Sequence, residues 1–195
     1  MSAITIDLKI FFDGIRNGPF PGKLSKQQVQ GCTAIVVEFQ RRKLLDLRWL
    51  AYMLGTAFHE TDATMQPIME KGSQKYLRSK AYWPWVGRGY VQLTWDYNYR
   101  DMQKLLAAAG FDVDIVANPD DAMKPDVAAF ILFEGMIRGS FRKKKLADYF
   151  NEKTTDWVMA RNIINGKRKG EKLPDRAVDI ANYAKAFHGD LIAAT

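Results

Sequence analysis

The sequence predicts a mainly helical, single-domain protein, and three observations carry that reading. Apolar residues recur at helical spacing in several successive segments, polar capping residues stand at the starts of those segments, and 195 residues suit one domain with a sizeable core. Hydrophobic residues make up 47% of the chain, too many for a disordered polymer. No internal repeat, low-complexity tract or linker interrupts the pattern. Residues 1–195 are therefore read as one domain, with 1–45 as a helical lead-in belonging to it.

The elements follow in order. Ser25 is placed to cap a helix running to Gln40, with Val29, Cys32, Ile35, Val36 and Phe39 on one face. Asp46 caps the next, Leu47 to Glu60, where Leu50, Met53, Leu54, Ala57 and Phe58 form a stripe. Segment 61–89 is irregular and holds Pro67, Gly72, Pro84, Gly87 and Gly89, so it reads as a long loop leading to a small β-hairpin near Val91–Leu93. Long loops in compact domains are functional or disordered, and Tyr82, Trp83 and Trp85 argue for order. A helix from Tyr97 to Ala109 stops at Gly110. Asn118-Pro119 makes a turn, and Pro125 sits in the first turn of a helix reaching Arg138. A short helical piece is expected at Ala147–Phe150. Thr155 or Asp156 starts another helix through Ile164, ended by Asn165-Gly166, and Asp175 opens the last, through Phe187.

Composition narrows the function classes. The net charge is +7, with basic clusters at Arg41-Arg42-Lys43, Arg142-Lys143-Lys144-Lys145 and Lys167-Arg168-Lys169. Each alone reads as a solvated surface; together they favour an anionic polymer as partner. No nucleic-acid-binding module is recognisable, so nucleic acid is not the expected one. The single Cys32 excludes an intramolecular disulfide and a Cys-rich zinc site, reads as a small buried hydrophobe, and suits synthesis in a reducing cytoplasm. No secretory signal is visible around Asp7 and Lys9, and no apolar run approaches the about 18 residues of a membrane span, so stable membrane insertion is not expected.

The chemistry concentrates in two blocks. Ala57-Phe58-His59-Glu60-Thr61-Asp62 ends an apolar helix with a carboxylate. Gly87-Arg88-Gly89-Tyr90-Val91-Gln92-Leu93-Thr94-Trp95-Asp96-Tyr97-Asn98-Tyr99 is a glycine-punctuated turn followed by amide, hydroxyl and aromatic groups. Carbohydrate cleavage needs that pairing: a carboxylic acid in an apolar setting beside a surface that stacks on sugar rings and hydrogen-bonds their hydroxyls. Burial of Glu60 would raise its pKa and keep it protonated as a general acid; the plainer reading is an exposed Glu in a last helical turn. His59-Glu60 also opens a zinc-protease motif, but the second His that motif needs at position 63 is Ala63, and His188 is distant in sequence. Neither metal nor cofactor is expected, and His59 reads as a half-buried residue orienting Glu60 or its loop.

These blocks resemble the family 19 glycoside hydrolases, the chitinase-like branch of the lysozyme superfamily. Asn118-Pro119-Asp120 with Pro125 to Phe130, and Ala160 to Gly166 with Asp175-Arg176 and Tyr183, resemble further family blocks, in the family's order from Leu47 to Phe187. The opening segment Phe11–Glu38 resembles the lead-in of phage-encoded members. The resemblance implies a two-lobed lysozyme-like domain with a substrate cleft. It implies Glu60 as acid and Glu70 as base, with Asp62 the rival, and Thr94 holding the attacking water. Gln92, Asn98 and Asn165 would bind sugar, and Tyr97, like Tyr90, Trp95 and Tyr99, would either stack on sugar or pack in the core. Arg88 would pin its loop, and Arg176 would form an ion pair near the acid. The resemblance implies a β-1,4-linked N-acetylated amino-sugar polymer; the chain's shortness, its basic charge and its phage-like opening favour peptidoglycan, with chitin as runner-up, and a monomer is the default for a polymer-cutting enzyme. The implied setting is an endolysin made without a signal peptide in a host bacterial cytoplasm and acting on the wall after release. A non-catalytic wall-binding phage protein on the same fold is the alternative of another class.

Overall fold

The structure, a computed structural model, describes residues 3–167 and 169–195. Arg168 of the third basic cluster lies outside the described residues. Helices dominate: α1 (Leu8–Ile15), α2 (Lys26–Arg41), α3 (Leu47–Glu60), α4 (Gln74–Arg78), α5 (Asp96–Ala108), α6 (Pro125–Arg138) and α7 (Ala177–Ala193). Short 3₁₀ turns occupy Pro119–Met123, Leu146–Asp148 and Met159–Ile163. None of the described helices is long and apolar enough to cross a membrane.

Local chemistry accounts for the helix starts. Ser25 accepts from the Gln28 backbone N–H while the Gln28 side chain accepts from the Ser25 N–H, a reciprocal cap that satisfies two otherwise orphan donors. Asp46 caps α3 through the Arg48 N–H at 2.9 Å, and Asp7 caps α1, a helix the sequence reading missed.

The core is built on α3. Every residue from Leu50 to Phe58 is buried, so the helix is enclosed on all sides, rather than along the single stripe its spacing predicted. Helix α7 lies directly against it. The two backbones approach so closely at Gly55 that a Cβ there would fall 2.8 Å from the Ala184 nitrogen. Phe58 joins Phe20, Tyr183 and Phe187 in a group of mutually tilted rings. Helix α6 is equally enclosed from Val127 to Met136 and packs on α2. Cys32 is buried in this core, and burial pushes its thiol pKa up.

A smaller lobe forms from the chain between α3 and α5. Strands β1 (Ile68–Met69) and β2 (Arg88–Gly89) pair antiparallel, Ile68 opposite Gly89 and Met69 opposite Arg88. The expected hairpin near Val91–Leu93 exists as a tight turn closed by Arg88 and Leu93, whose N–H groups donate to each other's carbonyls at 3.1 and 2.9 Å. Gly89 and Gln92 take left-handed φ of 84° and 53° to make that turn. Two other expectations shift. The helix foreseen from residue 155 or 156 to 164 is only the 3₁₀ turn Met159–Ile163. The last helix starts at Ala177 rather than Asp175, because Arg176 sits at φ 59°, outside the right-handed helical region.

Candidate active site

Glu60 is the final residue of α3, where the buried helix emerges at the junction of the two lobes. Its side chain is 17% exposed. The apolar setting expected from sequence is not what surrounds it: Arg161, on the 3₁₀ turn Met159–Ile163, donates from Nη1 to Glu60 Oε1 at 2.8 Å. The Arg161 guanidinium is buried and also donates from Nε to the Asp175 carbonyl at 3.3 Å. One carboxylate oxygen is thus held; among the described residues Oε2 has no protein donor.

A cleft opens over Glu60, lined also by Gln92, Thr94, Asn98, Phe141 and Asn165, with Val91, Leu93 and Ile164 filling its walls. It continues on the other side of Glu60 and Gln92 past His59, Asp62, Ile68, Met69 and Lys71. The acid therefore sits within a groove that runs on both sides of it.

The polar lining is rigidly supported. Arg88, 5% exposed, donates to the carbonyls of Pro84 and Val86, to Tyr99 Oη and, from Nε at 2.8 Å, to Asp120, fixing the loop as its place between two glycines suggested. Gln92 donates to the Ile68 carbonyl at 3.1 Å, tying the turn to β1. Thr94 donates its hydroxyl hydrogen to the Gln92 carbonyl at 2.7 Å, so its oxygen is left as an acceptor facing the cleft. Asn98 donates to the Thr94 carbonyl at 2.8 Å. Tyr97 is 56% exposed and stacks on Trp95 at 6.0 Å between centroids, and Trp95 meets the edge of Tyr82.

Other site residues stand differently from the sequence expectation. Glu70 is not among the residues lining the groove. Its Oε1 accepts from Tyr82 Oη at 3.0 Å and its Oε2 from the Gly87 N–H at 3.2 Å, which holds loop 82–87 to the end of β1. Asp62 does line the groove, is exposed, and pairs with Lys71, which holds its carboxyl below the usual range. Arg176, expected to form an ion pair near the acid, reaches Asp179 at 3.5 Å and Asp175 at 4.0 Å, and its charge acts on His59, the neighbour of Glu60. Its left-handed backbone, just ahead of α7, accompanies these contacts with its sequence neighbours, and the partner of Glu60 is Arg161. Burial keeps the His59 imidazole pKa below its ordinary value; Glu60 opposes this, and Arg161 and Arg176 reinforce it. Arg161 and Phe141 have no role expected from sequence. Arg161 lay within a quoted block without distinguishing signal, and nothing local marks Phe141 as a cleft residue.

No protein-family model and no curated protein sequence matches the chain. In three dimensions it is similar to chitinase C from Streptomyces griseus HUT6037, with a TM-score of 0.68 and 17% identity over 98% of this chain and 78% of that one. A Glu-to-Gln mutant of chitinase C aligns with a TM-score of 0.54 at 17% identity, over 95% and 92% of the two chains. The chain has the mainly helical, lysozyme-like fold of these chitinases. Both structures are chitinases, and neither supports the closeness to phage-encoded members read from Phe11–Glu38.

Proposed function

We propose that this protein is a glycoside hydrolase that cleaves β-1,4 bonds between N-acetylated amino sugars, with Glu60 as general acid and the glycan strands of peptidoglycan as substrate. The observation that carries the reading is the placement of Glu60 midway along a groove whose walls offer Gln92, Thr94, Asn98 and Asn165. The fold shared with the chitinases supports the same class of bond. The net charge of +7 favours an anionic wall over neutral chitin.

The chemistry runs as follows in this reading. Arg161 holds Oε1, and Oε2 carries the proton to the glycosidic oxygen as the bond breaks. Thr94 Oγ1, its own hydrogen given to Gln92, accepts from a water on the opposite face of the sugar. Glu70 is the proposed base, on the strength of the resemblance. An inverting enzyme needs its two carboxylates about 6.5–9.5 Å apart to admit that water, and Glu70 would have to exchange its bonds to Tyr82 and Gly87 for the water's proton. Asp62, already in the groove, is the competing base.

Product analysis tests this. Purified protein is incubated with peptidoglycan and, separately, with chitin oligomers, and the products are identified by mass spectrometry. Reducing-end muropeptides are the expected result. Anhydro-sugar ends would replace hydrolysis by a single-carboxylate transglycosylation. Cleavage of chitin alone would shift the substrate, and silence on both would favour a non-catalytic wall-binding protein.

A further inference from the structure

The three basic clusters do not play the same part. In the first, Arg41 and Arg42 both donate to Glu38, Arg42 also pairs with Glu134 at 2.6 Å, and Arg138 pairs with Glu134 as well. The Arg42 guanidinium further lies 5.0 Å from the Phe130 ring centroid. Those arginines clasp α2 to α6, and their charge is spent inside the protein. The second cluster is arranged in the opposite way. Helix α6 ends at Gly139 in a left-handed turn, and the chain folds back so that Phe141 drops onto Gly135, where a Cβ would fall 2.0 Å from the ring. Phe141 lines the cleft, while Arg142, Lys143, Lys144 and Lys145 are turned outward and exposed. None of these four forms an ion pair among the described residues; the nearest acid in sequence, Asp148, spends Oδ2 on the Lys145 backbone N–H.

Arg142 has a built seat. Its guanidinium lies against Gly166, where a Cβ would fall 2.1 Å from Nη2. The residue before Gly166 is Asn165, a cleft wall, and the one after is the exposed Lys167. Arg142 and Lys167 therefore both stand next to residues that line the groove, 141 and 165, which are 24 positions apart in sequence. A planar guanidinium beside this backbone, with no ion-pair partner of its own among the described residues, matches a carboxylate in a two-pronged fork, and unpaired lysines beside it add attraction that salt screens.

We propose that Arg142, seated on Gly166 and assisted by Lys143, Lys144 and Lys145, is a specificity rim that binds a carboxylate carried by the same glycan strand that fills the cleft. The strand is the committed occupant because the rim is continuous with the groove: a substituent of a bound sugar reaches it without a second molecule. Neutral chitin has no such group; the peptide stems of peptidoglycan do. The inference rests on the hydrolase reading for its substrate.

The test compares wild type, Arg142→Gln and the four-residue variant Arg142→Gln/Lys143→Gln/Lys144→Gln/Lys145→Gln on native sacculi and on sacculi whose carboxyls have been amidated. On native sacculi at low salt KM should rise about threefold for the single variant and about tenfold for the fourfold one, with kcat and thermal midpoint unchanged. On amidated sacculi all three proteins should perform alike, and added NaCl should erase the wild-type advantage. Equal losses on both substrates, or no loss on either, would overturn the rim. Binding is followed separately by cosedimentation of Glu60→Gln protein with sacculi. If wild type cleaves nothing, the hydrolase reading falls, while carboxyl-dependent sedimentation lost on adding Arg142→Gln would still uphold the rim. Sedimentation that follows wall phosphodiester polymers instead, vanishing when these are stripped and surviving amidation, would overturn it.

Discussion

Arg161 and Glu60, 101 positions apart, form the ion pair at the junction of the two lobes, Nη1 to Oε1 at 2.8 Å. The guanidinium is buried and the carboxylate faces the groove, so the pair joins the 3₁₀ turn Met159–Ile163 to the end of α3. Removing the guanidinium leaves Glu60 with neither its orienting donor nor full access to water. Arg161→Leu is expected to lower unfolding free energy by about 2–4 kcal/mol and glycan cleavage by at least about tenfold. Urea unfolding and steady-state rates measure the two effects; an unchanged variant would mean the pair does no orienting.

Glu60→Gln keeps an acceptor for Arg161 but removes the transferable proton. We expect a melting temperature near wild type and a rate at least about 100-fold lower. Normal turnover by this variant would remove Glu60 from the chemistry.

The second carboxylate is decided by a pair of substitutions. Glu70→Gln is expected to lose at least about 100-fold in rate, and Asp62→Asn no more than a few-fold. The opposite ranking would assign the base to Asp62, consistent with its place in the groove.

Helix packing predicts opposite signs for two chemically identical changes. Alanine in place of a helical glycine gains about 1 kcal/mol from propensity. At Gly189 in α7 nothing lies within 4 Å of the added methyl group, so Gly189→Ala should stabilise. At Gly55 the obstacle is Ala184 backbone at 2.8 and 3.0 Å, which cannot step aside as a side chain could. Gly55→Ala should destabilise by about 1–3 kcal/mol net. Thermal unfolding of the two variants checks the contrast.

Stability should fall as pH drops from 7.5 toward 5. Burial lowers the folded-state pKa of both His59 and His188, so below about 6.5 the unfolded chain binds more protons than the folded one. The loss sets in as pH passes below the unfolded-state value and is complete below the folded-state value. Urea midpoints across this range should flatten in a His59→Gln/His188→Gln double variant; an unchanged slope would place the proton uptake elsewhere.

What the sequence disclosed was mostly local. The Ser25 and Asp46 caps are decided by residues within one turn, and α2 and α3 start where those residues put them. Pro125 opens α6 and Arg138 ends it for the same reason. Helix α4 is only five residues long, too short for its periodicity to stand out from the loop around it. The site divides likewise. Gln92 and Thr94, on and just after the tight turn, and Asn98, in the first turn of α5, are close in sequence and line the cleft together. That Arg161 is the arginine on Glu60 is a contact across 101 positions, which local spacing does not mark, and the left-handed conformation of Arg176 carries no compositional mark. Phe141 enters the cleft through its fit to Gly135, a tertiary event invisible to spacing.

The groove that passes Glu60 on both sides has a consequence for where a polymer would be cut. A blind pocket accepts only a chain terminus and releases one small unit at a time. In the proposed hydrolase, space on both sides of Glu60 would let a strand lie across it at any point along its length, so the first cuts would fall at interior linkages and the average chain length would drop before many new ends accumulate. A network made of such strands loses its mechanical strength after few events, long before it dissolves into its component sugars.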